Sequence, residues 1–506
     1  MPELFRARVD AVLAREGLPH NQVSLLILPV PGRAVLYSLR PDEPMIPASN
    51  AKLITSYAAL RLLTPNYRWK TRFYMVEEDD GPGRPHRPGL LVEAGADPTL
   101  KRGDLDAIAQ TLKSLGVSAL DGRLWYDGGI LSGPAFPVAW GDVEIEMPWY
   151  APVTPFILNL NQAGFTVHVK PGLGTPDAEP AIAQVFPVQP LPGMQVNAQF
   201  NWIAEGREVV RVRQVLAAPV LTFQVSGELV PSERTFAVAT ALNDPQDQFF
   251  RQLRAALNEA GIAGALPLAP FEGASPVSMR DLFTRESPTL GAFLGEVNKE
   301  SNNLAAEILL RSMAFGRKPR GVTSDDGLDV MRALLTEDFP GSSAQVAVFD
   351  GSGLSRDDRV TAAFLVDLLE RVISRFDFRS EFVGSLSVAG RDGTLLEHSL
   401  PRRYWGQIRA KTGTLKGVQN VSGYFNFGNR LLAFAFLVHD DTRDAMSLQR
   451  AQDRALGGIL DAYLASILPP HPVKRGRPIP PLPPVAVKFA APATAGSPKP
   501  STGAGR

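Results

Sequence analysis

The sequence predicts a mixed α/β fold in which both ends of the chain build one sheet and the middle is an insertion. Three observations carry this. Near the start, Val23–Val30 and Ala34–Leu39 are apolar, strand-sized runs separated by the turn signal Pro31-Gly32-Arg33. Near the end, Ile408–Thr414, Val421–Phe427 and Leu431–Val438 read as three more strands, with the tight-hairpin dipeptide Gly428-Asn429 between the last two. Between these groups, from about residue 76 to 275, Pro- and Gly-rich turns separate short β-type runs.

Five antiparallel strands flanked by helices follow from the two ends. Residues 3–15 have helical spacing, with Leu4, Val9, Val12 and Leu13 as apolar positions, and a second helix is expected from about Arg443 to Leu468. Lys52–Leu63 reads as an apolar helix stopped before Pro65. Within the insertion, Phe165–Val169, Val209–Val215 and Val220–Val225 are expected strands. Glu77–Gly89 is an expected exposed loop, and Asp247–Ala260 an amphipathic helix that closes the insertion. From about 276 to 400 the pattern is mainly helical, including the run Leu304–Met313. The expected division is a discontinuous domain of residues 1–75 plus 276–468, a β-rich region at 76–275 forming two small domains, and a tail at 469–506. The tail is Pro-rich, with six Lys or Arg and no acid, and cannot bury enough apolar surface to fold alone. Disorder is its expected state, with weak electrostatic attachment to anionic wall or membrane surfaces as the alternative.

Composition excludes several function classes. The 506 residues are 44% apolar and 21% charged, ordinary for a soluble globular chain of two to three domains. Lys and Arg number 52, as do Asp and Glu, so no global field favours nucleic acid. The absence of Cys removes disulfides, thiol nucleophiles and Cys-ligated zinc, and no metal or cofactor is expected. No segment approaches the ~18 apolar residues of a membrane span. The start, with Glu3, Arg6, Arg8 and Asp10, lacks the apolar core of a secretory leader. Either an incomplete start or a cytoplasmic protein is therefore expected.

Three motifs carry the chemistry. Ser49-Asn50-Ala51-Lys52 opens an apolar helix, and a spacing of three puts the lysine amine on the face of the serine hydroxyl. Roughly one Ser-x-x-Lys arises by chance in a chain of about this size, so placement matters more than the match. The helix N-terminus adds free N–H groups that favour an oxyanion beside Ser49. Serine needs an adjacent base. Six His and no Gly-x-Ser-x-Gly leave a triad no elbow, whereas a neutral Lys52 serves if burial and a second cation, Lys411, lower its pKa. Ser301-Asn302-Asn303 precedes a strong helix and reads alone as a cap or, with the others, as a proton relay from Ser301 and a hydrogen-bonding Asn303. Lys411-Thr412-Gly413-Thr414 lies in a strand. Its glycine lets another backbone approach, and Lys411 with the Thr412 and Thr414 hydroxyls can hold a carboxylate.

Together these motifs resemble those of the class C low-molecular-mass penicillin-binding proteins, the D-alanyl-D-alanine carboxypeptidase/endopeptidase family. The resemblance extends over most of residues 20–465. It includes Gly95-Ala96-Asp97-Pro98-Thr99-Leu100, Tyr150-Ala151-Pro152-Val153, Asp350-Gly351-Ser352-Gly353-Leu354-Ser355 and Val388-Ala389-Gly390-Arg391-Asp392-Gly393-Thr394-Leu395. It implies a penicillin-binding transpeptidase-like α/β domain interrupted by β-rich domains. It implies Ser49 as nucleophile on the penultimate D-Ala carbonyl, Lys52 as base and Ser301 as proton donor to the departing amine. Asn303, Lys411, Thr412, Gly413 and Thr414 would bind substrate, and the N–H groups of Ser49 and Thr414 would form the oxyanion hole. Peptidoglycan stem peptides and β-lactams are the implied partners and the periplasm the implied compartment, the start being treated as incomplete. Asn302 stands where many relatives have Asp. Two alternatives stand beside this reading. A β-lactamase or esterase on the same fold is usually compact, unlike this chain. A non-catalytic wall-binding protein would not need Ser49, Lys52, Ser301, Asn303 and Lys411 intact. Asp142 and Glu144, near Tyr150, read as a solvated loop, with recognition of a stem-peptide side chain as the alternative.

Overall fold

The chain ends meet in one sheet. A computed structural model describes residues 2–467 apart from 33, 79–86, 143, 145, 173–180, 207, 216–219, 265, 273–275 and 277, so the tail expected at 469–506 lies outside the described residues. The sheet runs Ser387–Val388, Ile408–Leu415, Val418–Phe427, Arg430–His439, Val23–Val30, Tyr37–Leu39, and every neighbouring pair is antiparallel. The five expected strands are present, with Ala34–Leu39 shortened to Tyr37–Leu39. The two-residue strand Ser387–Val388, too short to show a period, joins them at one edge.

Both faces of this sheet are covered, which is why its strands read as continuous apolar runs rather than as alternation. Leu25, Ile27, Phe434 and Phe436 pack in one cluster with Phe5 and Val9 of the helix Pro2–Arg15 and Leu456 and Ile459 of the helix Ala445–Ile467. Leu26, Leu28, Ala433 and Ala435 face the opposite cluster, built with the helices Ala51–Leu63, Asn303–Ser312 and Ala362–Ser374. Ala51–Leu63 is buried from Ala51 to Leu60, so it is apolar nearly all round. Its interior hydroxyls are paired: Thr55 donates to the Gly351 carbonyl at 2.7 Å, and Ser56 bonds Asn298.

The insertion contains more than β runs. A five-stranded sheet, ordered Leu268–Pro270, Leu124–Asp127, Arg87–Glu93, Lys70–Glu78, Ser278–Glu286, packs against the helices Arg102–Ser114 and Pro245–Glu259. Pro245–Glu259 is the expected closing helix. Arg102–Ser114 was not among the expected elements, although Leu105, Ile108, Ala109 and Leu112 show helical spacing and are buried. Two three-stranded sheets, one of Gln195–Trp202, Thr222–Leu229 and Val209–Val215, the other of Arg234–Ala241, Gln162–Lys170 and Ile182–Pro187, share a core around Phe165 and Phe223.

Two local expectations are corrected. Glu77 and Arg87–Gly89, expected in an exposed loop, are strand residues, since Val76 to Glu78 pair with Gly89 to Arg87; residues 79–86 lie outside the described set. Ser278–Glu286, in a stretch expected to be helical, is an edge strand with an irregularity between Asp281 and Phe283. Its polar sequence carries no period-2 signal, and stacking of Phe283 on Phe73, centroids 4.7 Å apart, helps to hold it.

The passage out of the insertion, Ser278–Glu286, is pinned to the Asp97–Asp104 segment by one buried carboxylate. Asp97 accepts from the Thr99 N–H and hydroxyl at 2.9 and 2.7 Å and pairs with Arg285, which also reaches Asp104 at 2.8 Å. Burial pushes the Asp97 carboxyl up, against the opposing pull of Arg285. Arg285→Ala strands this group without its cation, and a loss of about 3 kcal/mol is expected in denaturant unfolding. That loss deepens as pH rises through the carboxylate range, because only the ionised form misses the cation.

Candidate active site

Ser49 sits in a single 3₁₀ turn, Ala48–Asn50, that runs into the helix Ala51–Leu63. It does not cap that helix. Its hydroxyl accepts instead from Lys52 Nζ at 2.9 Å. Lys52, wholly buried, also donates to Asn303 Oδ1 at 2.6 Å and to the Ser352 carbonyl at 2.7 Å. Three acceptors match the three donors of an ammonium, and loss of one proton leaves an amine lone pair beside Ser49. Burial brings the Lys52 pKa down to about 7, with the charges of Asp350, Glu307 and Asp358 opposing that fall. Of the two expected causes, burial and Lys411, burial is the one that dominates at Lys52. Lys411 is itself lowered by burial and by repulsion from Lys52.

Ser301 holds a left-handed backbone, φ 58°, and accepts from Lys411 Nζ at 2.7 Å. The cap of the next helix is Asn302, whose Oδ1 accepts from the Ala305 N–H at 2.9 Å. Aspartate would cap equally well at this position. With Asn302 turned to the helix, Asn303 is left to bridge, receiving from Lys52 and donating to the Trp149 carbonyl at 2.9 Å.

Lys411–Thr414 lies on Ile408–Leu415 beside an open edge. On one side Lys411 to Thr414 pair with Ser422 to Gln419. On the other, only Ala410 and Arg409 have partners, Ser387 and Val388, so from Lys411 onward no strand pairs on this side among the described residues. Gly413 brings the strand against the serine turn. A Cβ there would lie 2.8 Å from Asn50 Nδ2, 2.9 Å from the Pro47 carbonyl oxygen and 3.0 Å from the Ser49 nitrogen. Thr412 donates to the Thr394 hydroxyl at 2.7 Å, and the exposed Thr414 donates to Gln419 Oε1 at 2.9 Å.

The predicted residues thus form two hydrogen-bonded pairs, Ser49–Lys52 and Ser301–Lys411, with Asn303 on the first and Gly413 against the Ser49 backbone. Sequence reasoning gave no role to Ser352, Asp350, Thr394 or Trp149. The first three lie in segments that stood out by resemblance, but carbonyl contacts such as those of Ser352 and Trp149 leave no side-chain signal. Asp142 and Glu144 are exposed. The Tyr150 phenol is raised by burial first and by Glu144 second. The Gly95–Leu100 segment belongs to the Asp97 junction. A cavity of about 550 Å³ between that junction and the helix Leu290–Asn298 is lined by none of the residues of the three motifs.

This constellation can be set beside known proteins. The sequence matches the D-Ala-D-Ala carboxypeptidase 3 (S13) family over residues 5–458. The chain belongs to that family. A D-alanyl-D-alanine carboxypeptidase of Actinomadura sp. (strain R39) is 28% identical over 453 residues, spanning 86% of this chain and 80% of that protein. Penicillin binding protein 4 (dacB) of Haemophilus influenzae superposes with a TM-score of 0.69 at 19% identity, over 90% of this chain and 99% of that one. The same protein complexed with a β-lactam gives 0.64 at 20% identity, over 88% and 98%. Membership makes this S13 protein a serine-type D-Ala-D-Ala carboxypeptidase with the penicillin-binding fold. In this S13 chain Gly413→Ala forces a methyl group between strand and serine turn. A drop of about 10- to 100-fold in kcat/KM, with little change in Tm, is expected in steady-state and melting measurements.

Proposed function

We propose that Ser49 is the nucleophile of a DD-peptidase acting on peptidoglycan stem peptides and that Lys52 takes its proton. The contact that carries this reading is the 2.9 Å hydrogen bond between Ser49 and a fully buried lysine whose pKa lies near neutrality. The substrate backbone adds beside Lys411–Thr414, where the sheet edge is open. Its terminal carboxylate meets Lys411 and the Thr412 and Thr414 hydroxyls. Ser49 Oγ attacks the penultimate D-Ala carbonyl while its proton passes to Lys52 Nζ. The N–H groups of Ser49 and Thr414 receive the oxyanion, a contribution of about 3 kcal/mol per donor. Ser301 protonates the departing amine, and the proton that Lys52 took from Ser49 passes to the Ser301–Lys411 pair to replace it. Lys52, neutral again, takes a proton from the water that attacks the acyl carbonyl and returns it to Ser49 Oγ as the ester bond breaks.

The same chemistry cleaves a terminal D-Ala or a D-Ala cross-link, because both leave as amines, and β-lactams acylate the same serine. The β-lactam complex of the Haemophilus relative supports this last point. The enzyme acts in the periplasm, where peptidoglycan lies, and no described helix is long and apolar enough to cross a membrane.

Incubation with a fluorescent penicillin, then with a D-Ala-D-Ala peptide, tests the reading. Stable label with D-Ala release is expected. Rapid loss of label favours a β-lactamase, and folded protein that takes no label favours a wall-binding protein. Ser49→Ala is expected to abolish labelling at unchanged Tm; label that survives removes Ser49 as nucleophile. Below its pKa Lys52 is an ammonium and cannot accept the proton. The acid limb of kcat/KM is therefore centred near pH 7, falling about tenfold per unit below it. A limb near the ordinary carboxylate range would remove Lys52 from this role.

A further inference from the structure

We propose that Asp350 is a positioning residue of the reaction: its carboxylate shapes the turn that presents the Ser352 carbonyl to Lys52. This rests on the reading of Lys52 as proton acceptor for Ser49. Asp350 is fully buried and accepts five hydrogen bonds from the four residues after Gly351. Oδ1 receives the N–H groups of Ser352 and Gly353 at 3.1 and 2.5 Å. Oδ2 receives the Ser352 hydroxyl at 3.0 Å and the N–H groups of Leu354 and Ser355 at 3.0 and 3.1 Å. Only an ionised carboxylate offers two acceptor-only oxygens to so many donors; an amide offers one, and turns its own N–H groups on the rest.

The turn has no slack elsewhere. The Gly351 N–H donates to Glu307 on the helix that begins at Asn303, at 2.5 Å, and the Gly351 carbonyl accepts from Thr55 on the helix that follows Ser49. Gly353, at φ +80°, passes so close under the serine turn that a Cβ there would lie 1.9 Å from the Ala48 carbonyl oxygen. The turn therefore ties together the helices that carry Lys52 and Asn303, and it directs the Ser352 carbonyl at Lys52, 2.7 Å away. Asp358 closes the arrangement from below. Its Oδ1 accepts from the Phe349 N–H at 2.8 Å, while its buried Oδ2 accepts from no donor. Burial first, and the neighbouring Asp350 charge second, push this acid up to about 9, so it keeps its proton near neutral pH.

The charged and titratable groups facing Lys52 are Asp350, Glu307, Asp358 and Lys411, with Arg311 beside Glu307. Asp350 heads the charges that raise the affinity of Lys52 for its proton. Two effects of Asp350→Asn follow. The turn loses acceptors, so Lys52 is less well placed. The largest of the negative charges acting on Lys52 goes, and although Glu307 and Asp358 then ionise more readily they act on Lys52 less strongly, so Lys52 loses its proton at lower pH and the acid limb moves down. A merely structural residue would lower the rate without moving that limb.

The test measures acylation of the full chain by fluorescent penicillin across the acid limb, for wild type and Asp350→Asn, with melting curves for both. A fall of about 30- to 100-fold with a limb shifted to lower pH is expected, on the scale that misplacement of a catalytic group produces. A folded variant with the wild-type rate, or a slower one with an unmoved limb, overturns the proposal while leaving Ser49 as nucleophile. Wild type that takes no label overturns the underlying reading and this proposal with it. Should Asp350→Asn fail to fold, Ser352→Ala removes one of the five donors and keeps the carbonyl. A drop of about 3-fold in kcat for D-Ala release at unchanged KM then supports the proposal, and an unchanged kcat overturns it.

Discussion

The ammonium group of Lys52 is wholly buried, and much of the fold answers that constraint. An unpaired cation taken out of water costs several kcal/mol, so each of its donors must find an acceptor inside the protein. The chain supplies one locally, the Ser49 hydroxyl, and two from far away: Asn303, 251 positions along the chain, and Ser352, 300 positions along. Bringing them together places the helix Ala51–Leu63 at the centre of the larger apolar cluster, with the Asn303–Ser312 helix and the Asp350 turn against it. The sheet and helices could bury an apolar residue at position 52 at less cost. The lysine is therefore a choice made for chemistry, and the surrounding polar network follows from it.

The same burial acts on the acids nearby, with the opposite result for their charge. Glu307 is pushed up to about 7 and Asp358 to about 9, each by desolvation first and by the Asp350 carboxylate second. Three carboxyl groups around one lysine do not make three charges. The proton kept by Asp358 lowers the repulsion, and Asp350 receives four backbone N–H groups where Glu307 and Asp358 receive one each. The cluster thus sets the proton affinity of Lys52 from below while Lys411, tied to Ser301, stands above. The sites of proton removal and proton delivery are two separate lysine–serine pairs, each with its own desolvation cost.

Legibility in the sequence followed the range of the interaction. Val23–Val30 and Leu431–Val438 were readable because an apolar strand buried on both faces needs only its own residues to show itself. Ser49, Lys52, Ser301, Asn303 and the Lys411–Thr414 run were readable because their side chains carry the chemistry. Ser278–Glu286 was not, since its strand character comes from pairing with Lys70–Glu78 and not from its polar sequence. Nor was the capping by Asn302 separable from a role for Ser301: a Ser-Asn pair ahead of a helix looks the same whether one residue or both serve the cap, and only the left-handed Ser301 backbone divides them. Of the two causes expected to lower Lys52, burial is the larger, and its extent could not be read from a motif because it depends on everything that packs around the residue.

Among the described residues the insertion is hydrogen-bonded to the Lys52 network at Trp149, and that contact decides how independent it can be. Trp149 is half-exposed, yet its carbonyl accepts from Asn303 Nδ2, and the other end of that amide accepts from Lys52. Because an amide has fixed donor and acceptor ends, the Trp149 contact holds the oxygen of Asn303 toward Lys52; released, the group can turn its N–H₂ to the lysine and lose the bond. The Trp149 backbone is in turn framed by the turn at Pro148–Tyr150, held by Gln162 Nε2 on the Pro148 carbonyl at 2.8 Å, at the start of the strand Gln162–Lys170. A chain of three contacts therefore runs from a sheet of the insertion to the lysine, and a change in how that sheet sits reaches the chemistry without touching a residue of the three motifs.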